Sequence, residues 1–258
     1  MEEKNYRVLR IEEQLYGCEE LPEGQPVLCD VLLEAADGTQ RVLPYPDAEL
    51  TRLDINEGST VTLRDHRLAK AVHKVYFTRH GETVWNVENK ICGATDIELT
   101  ALGHEQAIET GKKILEKKIE ADVILYSPLV RAKDTALHIS EITGIPAKEE
   151  MRLKEQNFGK YESTARDGAK FREAKKQFVE RYEGGESMLQ LAQRVYNLLD
   201  EVKASGKTCI LVAHNGIARV VQSYFYEMTN EEYAAFGVDN CAILQYEFPG
   251  EENGGAKA

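Results

Sequence analysis

The sequence predicts an α/β protein: a three-layer α/β/α sandwich built on a mostly parallel central sheet and preceded by a small all-β domain. After about residue 73, short apolar runs alternate with longer helical patterns, which is typical of a parallel sheet covered by helices on both faces. Before that point, short alternating runs are separated by turn residues. Four of the chain's seven prolines also lie in the first 72 residues, and none of them favours a helix interior.

The first region, residues 1–72, contains four stretches with the alternation of a half-buried strand. They span residues 6–11, 27–33, 40–43 and 60–63. The pair Asp37-Gly38 predicts a hairpin turn between the second and third strands, because both residue types tolerate positive φ. The segment Glu57-Gly58-Ser59 predicts a second turn. We therefore expect a small β-barrel or β-sandwich-like domain without a long helix.

The second region, residues 73–248, alternates between strand and helix patterns. Its strands are predicted at residues 73–78, 123–126, 208–213 and 241–248, and its helices at 101–118, 129–143, 167–182, 187–204 and 217–227. Thr100 is a favourable N-cap for the first of these helices, and Gly144 can end the second one in a left-handed conformation. Residues 249–258 offer no apolar anchor, so we predict a disordered tail.

Composition and charge exclude several classes of protein. The formal net charge of −12 argues against a general binder of nucleic acid or of anionic membranes. No purely apolar run exceeds the five residues Cys209–Ala213, which predicts no membrane span, and the acidic N-terminus does not resemble a signal peptide. The five cysteines are scattered without a CxxC pair, so neither a disulfide framework nor a zinc ribbon is expected. A reducing, cytoplasmic location fits this pattern best.

Cationic and imidazole side chains follow three of the predicted strands. Arg79 and His80 come directly after the first strand of the second region, and Gly81 behind them lets the backbone approach a bound group. Arg131 follows the second strand and His214 the third, each at the start of a helix. Because the carboxyl ends of parallel strands meet at one edge of a sheet, these groups are expected to converge there. Helix N-termini add N–H donors, so the sequence predicts a phosphate site at this edge.

These residues belong to a longer series of motifs that resembles the histidine phosphatase superfamily, in its phosphoglycerate-mutase-like branch. The resemblance covers residues 73–248, and many matches in the family's own order make it highly specific. The matching motifs are Arg79-His80-Gly81-Glu82-Thr83, Trp85-Asn86, Gly93, Asp96, Leu99-Thr100, Gly103, Gln106-Ala107, Ser127-Pro128-Leu129, Arg131-Ala132, Glu155, Phe158-Gly159, Tyr161-Glu162, Gly185-Glu186-Ser187, Arg194 and Val212-Ala213-His214-Asn215-Gly216.

The resemblance implies a role for each candidate site residue. His80 would be the nucleophile that becomes phosphorylated, and Glu155 the general acid and base. The phosphoryl oxygens would be held by Arg79, Arg131, Asn86 and His214. Further substrate contacts are expected from Gly81, Cys92, Gly93 and Asn215. Three positions depart from the family pattern, and those at Lys90 and Cys92 affect fine phosphate contacts rather than the core chemistry. Ser163 is the third, where glycine is usual.

The chemistry of these residue types agrees with the resemblance. A neutral imidazole can attack through one nitrogen while the other donates a hydrogen bond that fixes the tautomer. Two arginines offer forked donors to phosphoryl oxygens and stabilise charge in a loose transition state. These cations make a metal unnecessary, and no pattern of metal ligands is present. No GxxxxGK[ST] loop and no GxGxxG motif occurs, so neither ATP nor NAD is expected, and we predict no cofactor.

Three functions remain open at this level. The preferred one is a phosphatase that hydrolyses small phosphate monoesters, with a small phosphorylated metabolite as its partner. The second is a phosphoglycerate mutase. Mutases of this branch carry a long helical insertion before the second histidine, whereas Glu155 and His214 are only 59 positions apart here. The third, a non-catalytic binder of phosphorylated ligands, is disfavoured because every reactive residue is present.

Two features of the sequence allow more than one interpretation. A basic cluster over residues 166–181 is either a cap for the rest of an anionic substrate or a solvated helix face, and two glutamates dilute its charge. The first region, with a net charge of −7, disfavours nucleic acid. Three alternatives remain for the partner of this region: a ligand, another protein, or the second subunit of a homodimer.

Overall fold

The computed structural model describes residues 4–14, 26–35, 37–70 and 73–248. The tail that the sequence predicts to be disordered, residues 249–258, lies outside the described residues. The described chain divides into two compact units, with the division between residues 72 and 73. Within the described residues, no helix is both long enough and apolar enough to cross a membrane.

The first unit is one five-stranded antiparallel sheet with the strand order β3-β2-β1-β4-β5. Its elements are β1 (Lys4–Glu13), β2 (Leu28–Ala35), β3 (Gln40–Pro46), α1 (Asp47–Arg52), β4 (Thr60–Arg64) and β5 (Arg67–Lys70). The predicted hairpin joins β2 to β3, where Gly38 has a φ of +80°. The Tyr45 hydroxyl on one edge strand accepts the N–H of Leu68 on the other at 3.1 Å, so the sheet curls as in a barrel.

The sequence did not reveal α1 or β5, because both are short. Helix α1 has six residues, with Leu50 as its one buried side chain, so it shows no repeating apolar stripe. Strand β5 has four residues and buries only Leu68. Val8, Val31, Leu33 and Val61 form the centre of this unit's core and are fully buried.

The second unit contains the remaining strands and α-helices, arranged around a five-stranded sheet. They are β6 (Lys74–Arg79), α2 (Val84–Val87), α3 (Ala101–Glu116), β7 (Val123–Tyr126), α4 (Val130–Thr143), β8 (Ala147–Glu149), α5 (Ala169–Ala174), α6 (Met188–Ser205), β9 (Cys209–Ala213), α7 (Asn215–Phe225), α8 (Asn230–Ala235) and β10 (Ile243–Glu247). Thr100 caps α3 through its side chain, and Gly144 ends α4 at a φ of +74°, as the sequence predicts.

The predicted three layers follow from the alternation of side chains along the strands. Phe77 and Leu211 point to one face and pack with α6 and α7, in a core that includes Leu199. Tyr76 and Ile210 point to the other face and pack with α3 and α4. Strand β9 is buried at all five positions because both of its faces are covered.

The sheet is mixed: four of its five strands are parallel to one another, as the sequence predicts, and the fifth departs from that order. Strands β6, β9, β7 and β8 are parallel, but β10 pairs antiparallel to β6 at the edge. After α8 the chain crosses the carboxyl end of the sheet, where Val238 accepts a hydrogen bond from Arg79 and the Cys241 N–H donates to Arg79. Strand β10 therefore starts at that end and must run in the opposite direction.

The predicted helix over residues 167–182 is wrong in extent, since only α5 is helical there. Its apparent stripe is divided between two hydrophobic groups. Phe171 and Tyr182 pack with Phe158, whereas Phe178 packs against the core around α6 and α7. The helical spacing therefore came from side chains that a folded loop buries in separate places.

Candidate active site

The carboxyl ends of three parallel strands bring the predicted histidines together. Just beyond β6, the His80 N–H donates to the Ala213 carbonyl at 3.0 Å. Just beyond β7, the Ser127 N–H donates to Val212 at 3.0 Å. The rings of His80 and His214 consequently lie with their centroids 5.1 Å apart. The convergence that the strand ends predict is present in the structure.

His80 is held in a single tautomer. Its Nδ1 lies 2.7 Å from the Gly81 carbonyl oxygen. A carbonyl can only accept, so Nδ1 carries the proton and Nε2 keeps its lone pair. Burial, together with the charges of Arg131 and Arg79, holds the pKa of His80 well below its usual range. The ring is therefore neutral near pH 7, the state that a nitrogen nucleophile requires.

His214 lies at the N-terminus of α7, and its ring is hydrogen-bonded to a serine at the end of β7. Its Nε2 lies 2.7 Å from the Ser127 hydroxyl oxygen, which also accepts the N–H of Leu129 at 3.4 Å. When the serine hydroxyl donates to Nε2, the proton of the neutral His214 ring lies on Nδ1. Burial lowers the pKa of His214 well below its ordinary value, with further lowering from Arg131. Its Nδ1 is buried and makes no hydrogen bond among the described residues.

Two arginines flank this histidine pair. Arg131 is fully buried, and its two terminal nitrogens donate to the carbonyls of Thr95 at 2.9 Å and Gly93 at 2.8 Å. Arg79 donates to the Val238 carbonyl at 2.8 Å. Burial, and then the like charge of Arg166, lowers the pKa of Arg79 to about 10, so it stays charged near neutral pH. The Nε atoms of Arg79 and Arg131 have no hydrogen-bond partner among the described residues.

Glu155 lies in the loop before α5 and is buried, with 5% of its surface exposed. Its Oε1 accepts the N–H of Gln156 at 2.8 Å, and its Oε2 accepts the N–H of Gly216 at 2.8 Å. The second bond ties the carboxylate to the first turn of α7, next to His214. Glu155 also lines the cavity that His80 lines, so a carboxyl group and the imidazole face the same space.

The two predicted glycines act through packing rather than by lining the cavity. A Cβ on Gly81 would lie 2.3 Å from the Gly103 carbonyl oxygen of α3, so glycine is needed where this loop crosses the helix. A Cβ on Gly93 would lie 2.2 Å from both the Gln156 carbonyl and a Glu162 oxygen. The close approach at Gly81 is therefore to a helix, not to the bound group that the sequence suggested.

Glu162 is a site component to which the sequence gave no role, although it belongs to a matching motif. Its carboxylate accepts four hydrogen bonds of 2.8 to 3.0 Å. The donors are the N–H groups of Gly93, Ala94 and Phe158 and the hydroxyl of Thr95. This carboxylate therefore fixes the loop whose carbonyls hold Arg131.

Replacing Glu162 by glutamine is expected to lower the free energy of unfolding by roughly 1–3 kcal/mol. The amide keeps one acceptor oxygen and turns an NH₂ group toward two of the four donors. Chemical denaturation measures the loss. Glu183→Gln, which removes only an exposed ion pair with Lys160, serves as the control. An unfolding free energy equal to that of the unchanged protein would show that the loop does not depend on Glu162.

A cavity of about 110 Å³ opens at this edge of the sheet. A water-sized group needs roughly 10–15 Å³ on the same scale, so several such groups fit. The predicted residues that line it are Arg79, His80, Asn86, Cys92, Glu155 and Asn215. Arg131, His214, Gly81 and Gly93 do not line it. Burial raises the pKa of Cys92, so its thiol is not activated.

Three basic side chains also line the cavity: Arg166, Lys175 and Arg219. The first two belong to the basic cluster of the sequence. Arg219 was missed, although it follows Asn215 by four residues on α7 and so shares a helix face with a predicted site residue. Asn240 was missed as well, and it donates to the His80 carbonyl at 2.8 Å from the loop before β10. Among the described residues, no group of three or more histidine, cysteine, aspartate or glutamate side chains is arranged to hold a metal ion.

Comparisons with known sequences point to one family. The profile of the histidine phosphatase superfamily (branch 1) matches residues 75–255. A 2,3-bisphosphoglycerate-dependent phosphoglycerate mutase of Chelativorans sp. (strain BNC1) is 32% identical over 60% of this chain and 82% of its own length. PhoE of Bacillus subtilis (strain 168), an uncharacterized phosphatase, is 37% identical over 54% of this chain and 70% of its own length.

Solved structures share the same fold. A mycobacterial glucosyl-3-phosphoglycerate phosphatase in complex with VO3 superimposes with a TM-score of 0.60 at 27% identity, over 67% of this chain and 90% of that one. A protein named mycobacterial hydrolase 1 gives a TM-score of 0.62 at 26% identity, over 69% of this chain and 91% of that one. The similarity to both covers the greater part of this chain.

Proposed function

The chain belongs to the histidine phosphatase superfamily, branch 1, and from that premise we propose that it is a metal-independent phosphatase of small phosphate monoesters. In this proposal the reaction passes through a phosphohistidine on His80, with Glu155 as the general acid and base. The substrate is a small phosphorylated metabolite, and residues 73–248 form the catalytic domain.

One observation supports this proposal above the others. Among the described residues, three buried side-chain nitrogens have no hydrogen-bond partner, and they belong to Arg79, Arg131 and His214. Buried donors are normally satisfied, so three of them beside one imidazole indicate a ligand with several acceptor oxygens. A transferring phosphoryl group offers three non-bridging oxygens. Two guanidinium groups and an imidazole N–H suit its charge and shape.

In the first step, the His80 Nε2 lone pair attacks phosphorus and the bond from phosphorus to the alcohol oxygen breaks. The Gly81 carbonyl keeps the proton on Nδ1, so the ring stays oriented as the new P–N bond forms. Glu155 gives a proton to the departing alkoxide, which leaves as the alcohol. Arg79 and Arg131 stabilise the negative charge on the phosphoryl oxygens.

In the second step, a water molecule attacks the phosphohistidine and the P–N bond breaks. Glu155, now a carboxylate, accepts a proton from that water, and inorganic phosphate leaves with His80 restored to its neutral form. The same two hydrogen bonds from Gln156 and Gly216 hold the carboxylate in place for both steps.

Hydrolysis of p-nitrophenyl phosphate in the presence of a metal chelator tests the proposal. We expect release of nitrophenol and phosphate at a rate that the chelator does not change, because arginines rather than a metal supply the positive charge. No release would favour the non-catalytic phospho-ligand binder. Full inhibition by the chelator would contradict the metal-independent mechanism.

A phosphoglycerate mutase is the second candidate, favoured by the name of the Chelativorans relative. We expect phosphate release from 3-phosphoglycerate to exceed its isomerisation. The chain has too few residues between Glu155 and His214 for a long lid that would keep water from the phosphohistidine. Measuring both products from one incubation decides between the two. Isomerisation faster than release would make the protein a mutase.

The catalytic unit is expected to work without the first region. Residues 73–248 have their own core on both faces of the second sheet, and every proposed site residue lies within them. A fragment of this size is long enough to fold alone. The expected result is a cooperative melting transition and undiminished hydrolysis of p-nitrophenyl phosphate. An inert fragment would show that the site depends on residues 1–72.

A further inference from the structure

The wall of the cavity carries more positive charge than one phosphoryl group needs. Four cationic side chains line it, Arg79, Arg166, Lys175 and Arg219, against the single carboxylate of Glu155. A phosphate monoester brings a charge of about −1.5 to −2 near neutral pH, which Arg79 and the buried Arg131 already match. Arg166, Lys175 and Arg219 therefore supply positive charge that the phosphoryl group does not require.

None of Arg166, Lys175 and Arg219 forms an ion pair with an acidic side chain of the described residues. Arg219 donates only to the Phe236 carbonyl, at 2.8 Å. The Lys175 ammonium lies 5.7 Å from the centre of the Phe171 ring. Some cations elsewhere in the unit do pair with carboxylates, as Lys160 does with Glu183 and Lys176 with Glu173. The three cations that line the cavity have no such partner among the described residues.

The three cations also act on one another. Burial, and after it the like charges of Arg219 and Arg166, lowers the pKa of Lys175 to about 8. Burial lowers the pKa of Arg166 as well, although its side chain keeps an exposed part at the cavity mouth. Like charges gathered without a counter-ion favour the binding of an anion from outside.

We infer that the substrate carries a second anionic group on its alcohol portion, bound by Arg166, Lys175 and Arg219. This inference rests on the proposed phosphatase function. Ile91, Phe158 and Phe171 line the same cavity and give the carbon skeleton between the two anionic groups an apolar surface. This second group is a carboxylate or a second phosphate, because guanidinium and ammonium donors bind both.

Two matched pairs of esters test the inference through phosphate release. 3-Phosphoglycerate differs from glycerol 3-phosphate by a carboxylate in place of a hydroxymethyl group. Fructose 1,6-bisphosphate differs from fructose 1-phosphate by a second phosphate. We expect kcat/KM to favour the more anionic member of one pair by roughly tenfold or more, since a charged hydrogen bond gives discrimination of that order. The pair that shows the preference identifies the second group.

The double variant Arg166→Gln with Lys175→Gln is expected to reduce that preference by roughly ten- to a hundredfold, mainly through KM. Arg172→Gln is the matched control, because Arg172 is an exposed cation on α5 that does not line the cavity. The control is expected to keep the preference. A double variant that keeps it too would overturn the inference.

The outcomes separate this inference from the function on which it rests. If p-nitrophenyl phosphate is hydrolysed and neither pair shows a preference, the second anion site is wrong and the phosphatase stands. If no ester releases phosphate, the phosphatase is wrong and the inference falls with it.

Discussion

Replacing His80 by alanine is expected to abolish turnover and to remove the phosphoenzyme. His80 is the buried imidazole whose Nε2 lone pair is free, because its Nδ1 proton is engaged by the Gly81 carbonyl. Without it no P–N bond forms, and water must attack the ester directly. Loss of a covalent catalytic residue costs roughly 10⁴- to 10⁶-fold in well-studied cases, and we expect a loss in that range.

Labelled substrate followed by an alkaline quench measures the intermediate, since a phosphohistidine is labile in acid. The unchanged protein is expected to retain label that acid then releases. His138→Ala is the matched control: it removes a histidine that pairs with His104 between α3 and α4 at 3.0 Å, without lining the cavity. It is expected to keep both label and turnover. Label that persists in His80→Ala would move the nucleophile to another residue.

Replacing Glu155 by glutamine is expected to slow phosphohistidine formation from alkyl phosphates much more than from aryl phosphates. An alkyl alkoxide needs a proton as it leaves, whereas a nitrophenolate hardly does. Phosphohistidine formation from an alkyl phosphate is therefore expected to fall by roughly 10²–10⁴-fold, the usual contribution of a general acid. Formation from p-nitrophenyl phosphate is expected to fall far less. With the aryl ester, the variant is expected to release a burst of nitrophenol and then turn over slowly, because no base activates water.

The structure also predicts a loss of stability in this variant. Both oxygens of Glu155 accept a backbone N–H, and an amide can satisfy only one of the two donors. A loss of roughly 1–3 kcal/mol in the free energy of unfolding is therefore expected whatever the catalytic role. The burst of nitrophenol, and not the melting curve, therefore tests whether Glu155 takes part in catalysis.

Glu162→Gln provides the comparison for Glu155→Gln, because Glu162 is a carboxylate that also accepts backbone hydrogen bonds but does not line the cavity. It is expected to lower the rates of both esters to a similar degree, without a burst. If Glu155→Gln behaves in the same way, Glu155 is only a positioning residue and the proton donor must be another group.

Several features of this protein were determined by the sequence alone. The family is confirmed, and so are the α/β class, the hairpin at Asp37-Gly38 in the first region and the caps at Thr100 and Gly144. The strand-end positions of His80 and His214 were sufficient to predict that they meet. These predictions succeed because strand alternation, capping and the shared edge of parallel strands are local or topological properties.

Only the tertiary structure decided the rest. The direction of β10 depends on where the chain crosses the sheet after α8, which no local pattern encodes. The stripe of residues 167–182 resembled one helix because two separate cores bury its members. Arg219 lines the same cavity as Arg166 and Lys175, although more than forty residues of chain separate it from them. Glu162 accepts hydrogen bonds from the loop that holds Arg131, which lies 67 to 69 positions away in the sequence. Contacts of this kind depend on side-chain packing between distant segments, so which of these residues meet is decided only when the fold brings them together.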